Sequence, residues 1–361
     1  MIDTIRNAWK IIDLRKKILY TILMIIIFRL GSCIPVPLLD PAAMKEIFTS
    51  DNSLFGFIDV ISGGAFQNAT IFAMSITPYI NSSIIMQLLT VAIPALERLQ
   101  KQGEDGRKKI AQITRYGTVV LAFIQAIGLY FMLKSYNAVT NPGLLTAVVV
   151  IFTFTAGTAF LMWLGEQITE KGVGNGISLI IFAGIVSRLP SMAQSLYAYA
   201  KGGGIGLIGV VALLIMIVVV VGLVVMMNEA ERRIPVQYAK RVVGRKMYGG
   251  QSTHIPIKVA SAGVIPIIFA MSIMSFPSTI AGFFGVTSQT GGFWGGFLKI
   301  FSSTSWVYAI LYFLLIIFFT YFYTAIQFNP IEMSNNMKKN GGFIPGIRPG
   351  RPTSEYISKT L

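Results

Sequence analysis

The chain has 361 residues, a formal net charge of +15, 54% hydrophobic residues and only 12% charged ones. That balance excludes the two or so water-soluble domains which the length alone would suggest, because too few charges remain to solvate so much apolar surface. A single cysteine, Cys33, and a single histidine, His254, exclude an intrachain disulfide and a His/Cys metal cluster.

Residues 1–17 form a polar, basic leader without the short apolar region and cleavage site of a removable signal. Apolar stretches long enough to cross a bilayer follow at 18–35, 71–93, 116–133, 144–165, 176–198, 205–227, 259–284 and 305–328. The pattern predicts an all-α, polytopic membrane helix bundle of eight spans. Lys and Arg place it. One side carries 24 of them, in 1–17, 94–115, Lys171, 229–258 and 329–361, and the other only five, so the N-terminus and the large basic loops are expected in the cytoplasm.

Within the first span Arg29 either snorkels outward or faces polar groups in the bundle. The first outer segment contains a short, moderately apolar piece, 52–65, closed by Gly63-Gly64 and too short to span. It reads equally as a surface helix or as a re-entrant one, which is tolerated at membrane depth only inside protein. Pro78 early in the second span, and Pro266 and Pro277 in the seventh, each remove a backbone donor and can kink a helix, though membrane helices also tolerate proline widely. Ser83 and Gln87, four apart in the second span, share one face. They serve either as glue between helices or as a contact made to open. Ile76, Ile80 and Ile84, like Ile181 and Ile185, recur at four-residue spacing, which suits packing or a hydrophobic constriction.

Chemistry finds little footing. Gly172-Val-Gly-Asn-Gly176 has no preceding strand and reads as a tight turn, and Gly244-Arg-Lys-Met-Tyr-Gly249-Gly250-Gln has P-loop glycine spacing without its Lys-Ser/Thr pair. No cofactor or metal is implied, and no nucleophile and base stand together, so a non-enzymatic protein is expected. No acidic residue lies mid-span, where an ion-coupled transporter usually needs one.

Many longer motifs occur in order. They are Phe28-Arg-Leu-Gly31 with Ile34-Pro-Val-Pro37, Ile71-Phe-Ala-Met-Ser-Ile-Thr-Pro-Tyr-Ile80 with Ser83-Ile-Ile-Met-Gln87, and Gly103-Glu-Asp-Gly-Arg-Lys-Lys109. Further on come Phe160-Leu-Met-Trp-Leu-Gly-Glu-Gln-Ile168, Gly172-Val-Gly-Asn-Gly-Ile-Ser178, Gln251-Ser-Thr-His254, Ala262-Gly-Val-Ile-Pro266 and Ile344-Pro-Gly-Ile-Arg-Pro-Gly350. Over nearly its whole length the chain resembles the SecY/Sec61 family of protein-secretion channel subunits, in its bacterial SecY branch.

The resemblance implies an inverted-repeat clam shell around a pore for unfolded preproteins, in the bacterial cytoplasmic membrane. One half would be 18–200 and the other 201–328, with two further family spans expected after the 329–361 loop. By position, 52–65 resembles the plug, with Asn52, Phe55, Ile58, Gly63 and Gly64. Ile76, Ile80, Ile181, Ile185 and Ile268 match the pore ring, and Ser83, Gln87 and Phe276 the lateral gate. Arg232, Arg233, Lys240, Arg241, Arg245 and Lys246 in 229–258, with Arg348, match loops that meet a motor or the ribosome. The implied partners are the small membrane subunits SecE and SecG, the SecA motor ATPase, the ribosome, signal-bearing preproteins and the lipid bilayer. The alternative reading is a secondary transporter for a small solute.

Overall fold

The computed structural model describes residues 9–40, 43, 59, 62–135, 137–202, 207–238, 241–243, 246–248, 252–260, 262–283, 296, 301, 305–327, 330–339 and 341–360. The N-terminal part runs α1 (Ile12–Gly31), α2 (Thr77–Ala92), α3 (Pro94–Lys101), α4 (Glu104–Ser135), α5 (Leu144–Lys171), α6 (Gly176–Ser187) and α7 (Leu189–Lys201). After α8 (Leu207–Glu229) come the strands β1 (Glu231–Tyr238), β2 (Arg241–Val243), β3 (Lys246–Tyr248) and β4 (Ser252–Lys258). The chain then forms α9 (Ile265–Phe283), α10 (Trp306–Gln327), α11 (Pro330–Lys339), β5 (Gly342–Phe343) and α12 (Arg351–Thr360).

Every expected span carries a helix, or in the fifth a pair broken at Arg188. Among the described residues, five helical stretches are long and apolar enough to cross a bilayer unaided, and α2 with α3 passes the same test as a pair bent by 100°. The bend falls on Ile93, whose extended backbone is the conformation a following proline favours. Two of the three span prolines do not kink a helix. Pro78 and Pro266 lie in the first turns of α2 and α9, where the missing N–H would have had no helical partner, so they start helices. Only Pro277 is internal.

The chain divides into two compact units, Met1–Tyr197 with Met271–Tyr312, and Ala198–Ala270 with Phe313–Leu361. In the first, α4 packs on α2 and α5, and α5 also meets α1 and α6. Small buried residues set the close approach of α4: Thr118, Ala122 and Ala126 lie on one face, and Ser82 of α2 donates to the Thr114 carbonyl at 2.9 Å. Fully buried Phe28, Leu161, Leu164, Ile168 and Ile180 join α1, α5 and α6 in one apolar cluster. Lipid is as apolar as these side chains, so this cluster owes its stability to van der Waals packing more than to exclusion from water.

In the second unit the basic loop departs from the all-α expectation. Arg232 to Gln237 of β1 pair antiparallel with β4, and β5 adds to the other edge of β1 through Gln237 and Phe343. The alternation is that of a half-buried strand: Ile234 and Val236 point inward, while Arg232, Arg233 and Gln237 are exposed. Ile257, Met337, Ile344 and Ile357 complete the core, so the segments 229–258 and 329–361 fold together as one module.

Candidate functional site

The segment after the plug candidate is where the fold is least regular. Residues 63–76 form turns and an isolated bridge between Thr70 and Pro35, with positive φ at Ala69 and Ser75. Yet Ala65, Phe72 and Ile76 are at most 2% exposed, enclosed by α1, α5 and α6. Gly63 and Gly64 adopt φ of 66° and 90°, a region that side-chain-bearing residues avoid. A Cβ on Gly63 would lie 3.0 Å from the backbone of Gly184. Asn52, Phe55 and Ile58 lie outside the described residues.

Charged groups converge here, and sequence reasoning did not bring them together. Asp59 forms an ion pair with Arg188, and the Asp59 Oδ1 accepts the Gln67 N–H at 2.8 Å. Arg29 is exposed on α1, and its Nη1 donates to the Gly63 carbonyl at 3.0 Å, so it meets polar backbone of the protein. The only sequence signal was a pair of isolated charges, Arg29 and Arg188, within apolar stretches.

The ring candidates occupy graded environments. Ile76 is 1% exposed at the cap of α2, Ile80 packs half-buried against the same cluster, Ile181 is half-buried and Ile185 is 44% exposed. On α6 the face of Ile180 and Gly184 is covered, while Ile181 and Ile185 lie about 100° around the helix. Ile268 is half-buried on α9 in the second unit. Among the gate candidates, Ser83 is half-buried and Gln87 exposed. Their face lies one residue round from Ser82, which is turned into α4. Phe276 lies on α9, its side chain outside the described residues.

The tight turn expected at Gly172–Gly176 is present between α5 and α6. Asn175 caps α6 by accepting the Ser178 N–H at 3.2 Å, and the Thr21 hydroxyl of α1 accepts the Val173 N–H at 3.1 Å. The glycine-spaced stretch after Gly244 includes β3, paired with β2. Arg232 and Arg233 are exposed on β1, with Arg233 2.7 Å from Glu231. Arg241 and Lys246 belong to β2 and β3, their side chains outside the described residues, as are Lys240 and Arg245 entirely. Ile344 and Ile347 pack into the module core and leave Arg348 exposed between them and Gly350. The Thr353 hydroxyl donates to the Arg348 carbonyl at 2.8 Å, which fixes that turn.

Membrane-length helices around an enclosed, non-helical segment define a polytopic membrane protein of the all-α class. The SecY family model matches residues 70–361. Protein translocase subunit SecY of Halalkalibacterium halodurans is 47% identical over 100% of this chain and 85% of its own. Its counterpart in Escherichia coli K12 is 45% identical, covering 97% of this chain and 80% of its own. A solved SecY, described as having a plug domain that stabilises the closed state of the translocation channel and maintains a membrane seal, superposes with a TM-score of 0.67 at 19% identity, over 96% of this chain and 81% of that one. Sec61 of the canine ribosome-channel complex gives 0.52 at 19% identity, over 78% and 62%. The chain belongs to the SecY family: it is a bacterial membrane protein and a subunit of protein translocase. Membership decides against the solute-transporter alternative.

Proposed function

We propose that this chain passes unfolded preproteins across the bacterial cytoplasmic membrane through a pore stoppered by residues 52–65, and releases apolar segments sideways between α2 and α9. The observation that carries this reading is the enclosed turn segment, with Ala65, Phe72 and Ile76 buried to 2% or less. Irregular backbone is tolerated at membrane depth only where protein encloses it or a cavity adjoins it, and a stopper needs such a seat. By motif position the isoleucines at 76, 80, 181, 185 and 268 match the family's pore ring, and an apolar ring blocks ions by dewetting yet binds no particular client sequence.

At the gate, Ser83 and Gln87 present a polar row, half-buried and exposed, which an inserting signal helix covers. SecE and SecG complete the membrane assembly. The chain carries no nucleotide-binding motif, so the drive comes from SecA or from ribosomal synthesis. Arg232, Arg233, Lys240, Arg241, Arg245, Lys246 and Arg348 receive that engine on the cytoplasmic face, where the excess of Lys and Arg also places the N-terminus.

The test is a full-length chain reconstituted with SecE, SecG and SecA and given an arrested secretory precursor. Single cysteines at Gln87 and in α9 are expected to crosslink to the signal segment, and cysteines at Ile181 to the mature part. Crosslinks confined to the lipid-facing helix α8 would overturn the reading.

A further inference from the structure

Three charged side chains meet around the two glycines that end the plug candidate. Asp59 is 4% exposed. Besides its ion pair with Arg188, its main-chain carbonyl accepts from the Gly64 N–H at 2.9 Å and the Ser62 hydroxyl at 3.0 Å. The Arg188 guanidinium covers Gly64: a Cβ there would lie 3.3 Å from its Nε and Nη2. From α1, Arg29 holds the Gly63 carbonyl. Cations from two separate helices therefore meet one short stretch of chain, Arg29 at its backbone and Arg188 at the Asp59 carboxylate.

Stability alone does not account for the pair. The buried Asp59 and the half-buried Arg188 both lose hydration, and apolar side chains of similar size often serve as well or better. An ion pair instead offers a discrete release. Once separated near an aqueous face, both ions regain water, so the open state exposes no apolar patch. Position adds the second argument. Ile181, Ile185 and Arg188 step four and then three residues along the same face of α6 and its end. The helix bearing two ring candidates thus terminates in the cation that holds Asp59.

We propose that Arg188 is a positioning residue which couples the ring helix to the plug. With α6 in its resting place, Arg188 and Arg29 fix the C-terminal end of the plug. Outward movement of α6, as the ring admits a polypeptide, withdraws Arg188 from Asp59 and frees it. This rests on reading 52–65 as the plug and Ile181 and Ile185 as ring residues.

The experiment uses the full-length chain with its small membrane subunits in vesicles, measuring resting ion conductance and translocation of a precursor with a defective signal. Arg188→Glu and Asp59→Lys are each expected to raise resting conductance about tenfold or more, since loss of an enclosed charge partner shifts a two-state equilibrium at least that far. Both variants pass the defective precursor, the double exchange returns both readouts toward the parent, and Arg188→Lys stays close to it. A purely structural role predicts additive loss of assembled protein without rescue, and that result overturns the proposal. Unchanged conductance in both single variants also overturns it. Deleting residues 52–58 separates the causes: a deletion that opens the channel while the charge variants do not refutes the latch alone, and a silent deletion refutes the plug reading as well.

Discussion

Backbone conformation and contact can be separated at single glycines. Gly174 has φ of 75° with open space around it, so Gly174→Ala meets only the left-handed backbone penalty, about 1 kcal/mol. Gly63→Ala meets a similar penalty and also drives a methyl group against the main chain of Gly184, which yields less readily than a side chain; the sum is about 2–3 kcal/mol. Thermal denaturation in detergent is expected to show the larger loss for Gly63→Ala, and equal losses would mean that α6 does not hold this glycine. The ring candidates divide the same way. Ile76→Ala removes a fully enclosed side chain and is expected to cost about 2–5 kcal/mol, whereas Ile185→Ala, at a 44% exposed position, costs less than about 1 kcal/mol. Comparable midpoint shifts would refute the difference in enclosure.

Helix α2 presents two adjoining rows with different duties. Ser82, 2% exposed, ties α2 to α4, while Ser83 and Gln87 stand on the neighbouring row, half-buried and exposed. Gln87→Leu is therefore expected to change how defective signal peptides are discriminated with little change in stability, and Ser82→Ala to lower stability by about 0.5–1.5 kcal/mol with discrimination intact. The reverse pattern in a translocation and denaturation series would dismiss the gate assignment. The helices themselves were legible in the sequence because uncharged runs near 20 residues have few other uses. Their edges were not. Residues 71–76 are as apolar as a helix interior, but tertiary contacts with Gly157 and Phe28 hold them in turns. The period-two alternation around Ile234 and Val236 was present in the basic loop, and its charge hid it. Arg29 and Arg188 could be seen as misplaced charges, but their partners at Gly63 and Asp59 lie 34 and 129 residues away, beyond any local pattern.

Across the whole molecule, the basic segments expected to set topology during insertion belong to one folded platform. Arg232 and Arg233 on β1 and Arg348 in the turn before α12 are presented by one core of Ile234, Val236, Ile257, Met337, Ile344 and Ile357. Charge reversal and core disruption then have distinct signatures. Lys240→Glu with Arg348→Glu is expected to impair translocation while orientation stays normal, because 24 basic residues on that side leave ample bias. If the partner is ribosomal RNA, each lost phosphate contact also lowers the salt dependence of binding, by roughly 0.7–0.9 in logarithmic slope. Ile234→Ala keeps every charge but removes about 2–5 kcal/mol from a module with so small a core, enough to unfold it locally. Limited proteolysis is then expected to cut 229–258 and 329–361 in step, with docking lost at both. Cleavage of 229–258 while 329–361 stays protected would show two independent loops, because a shared core cannot fail on one side alone.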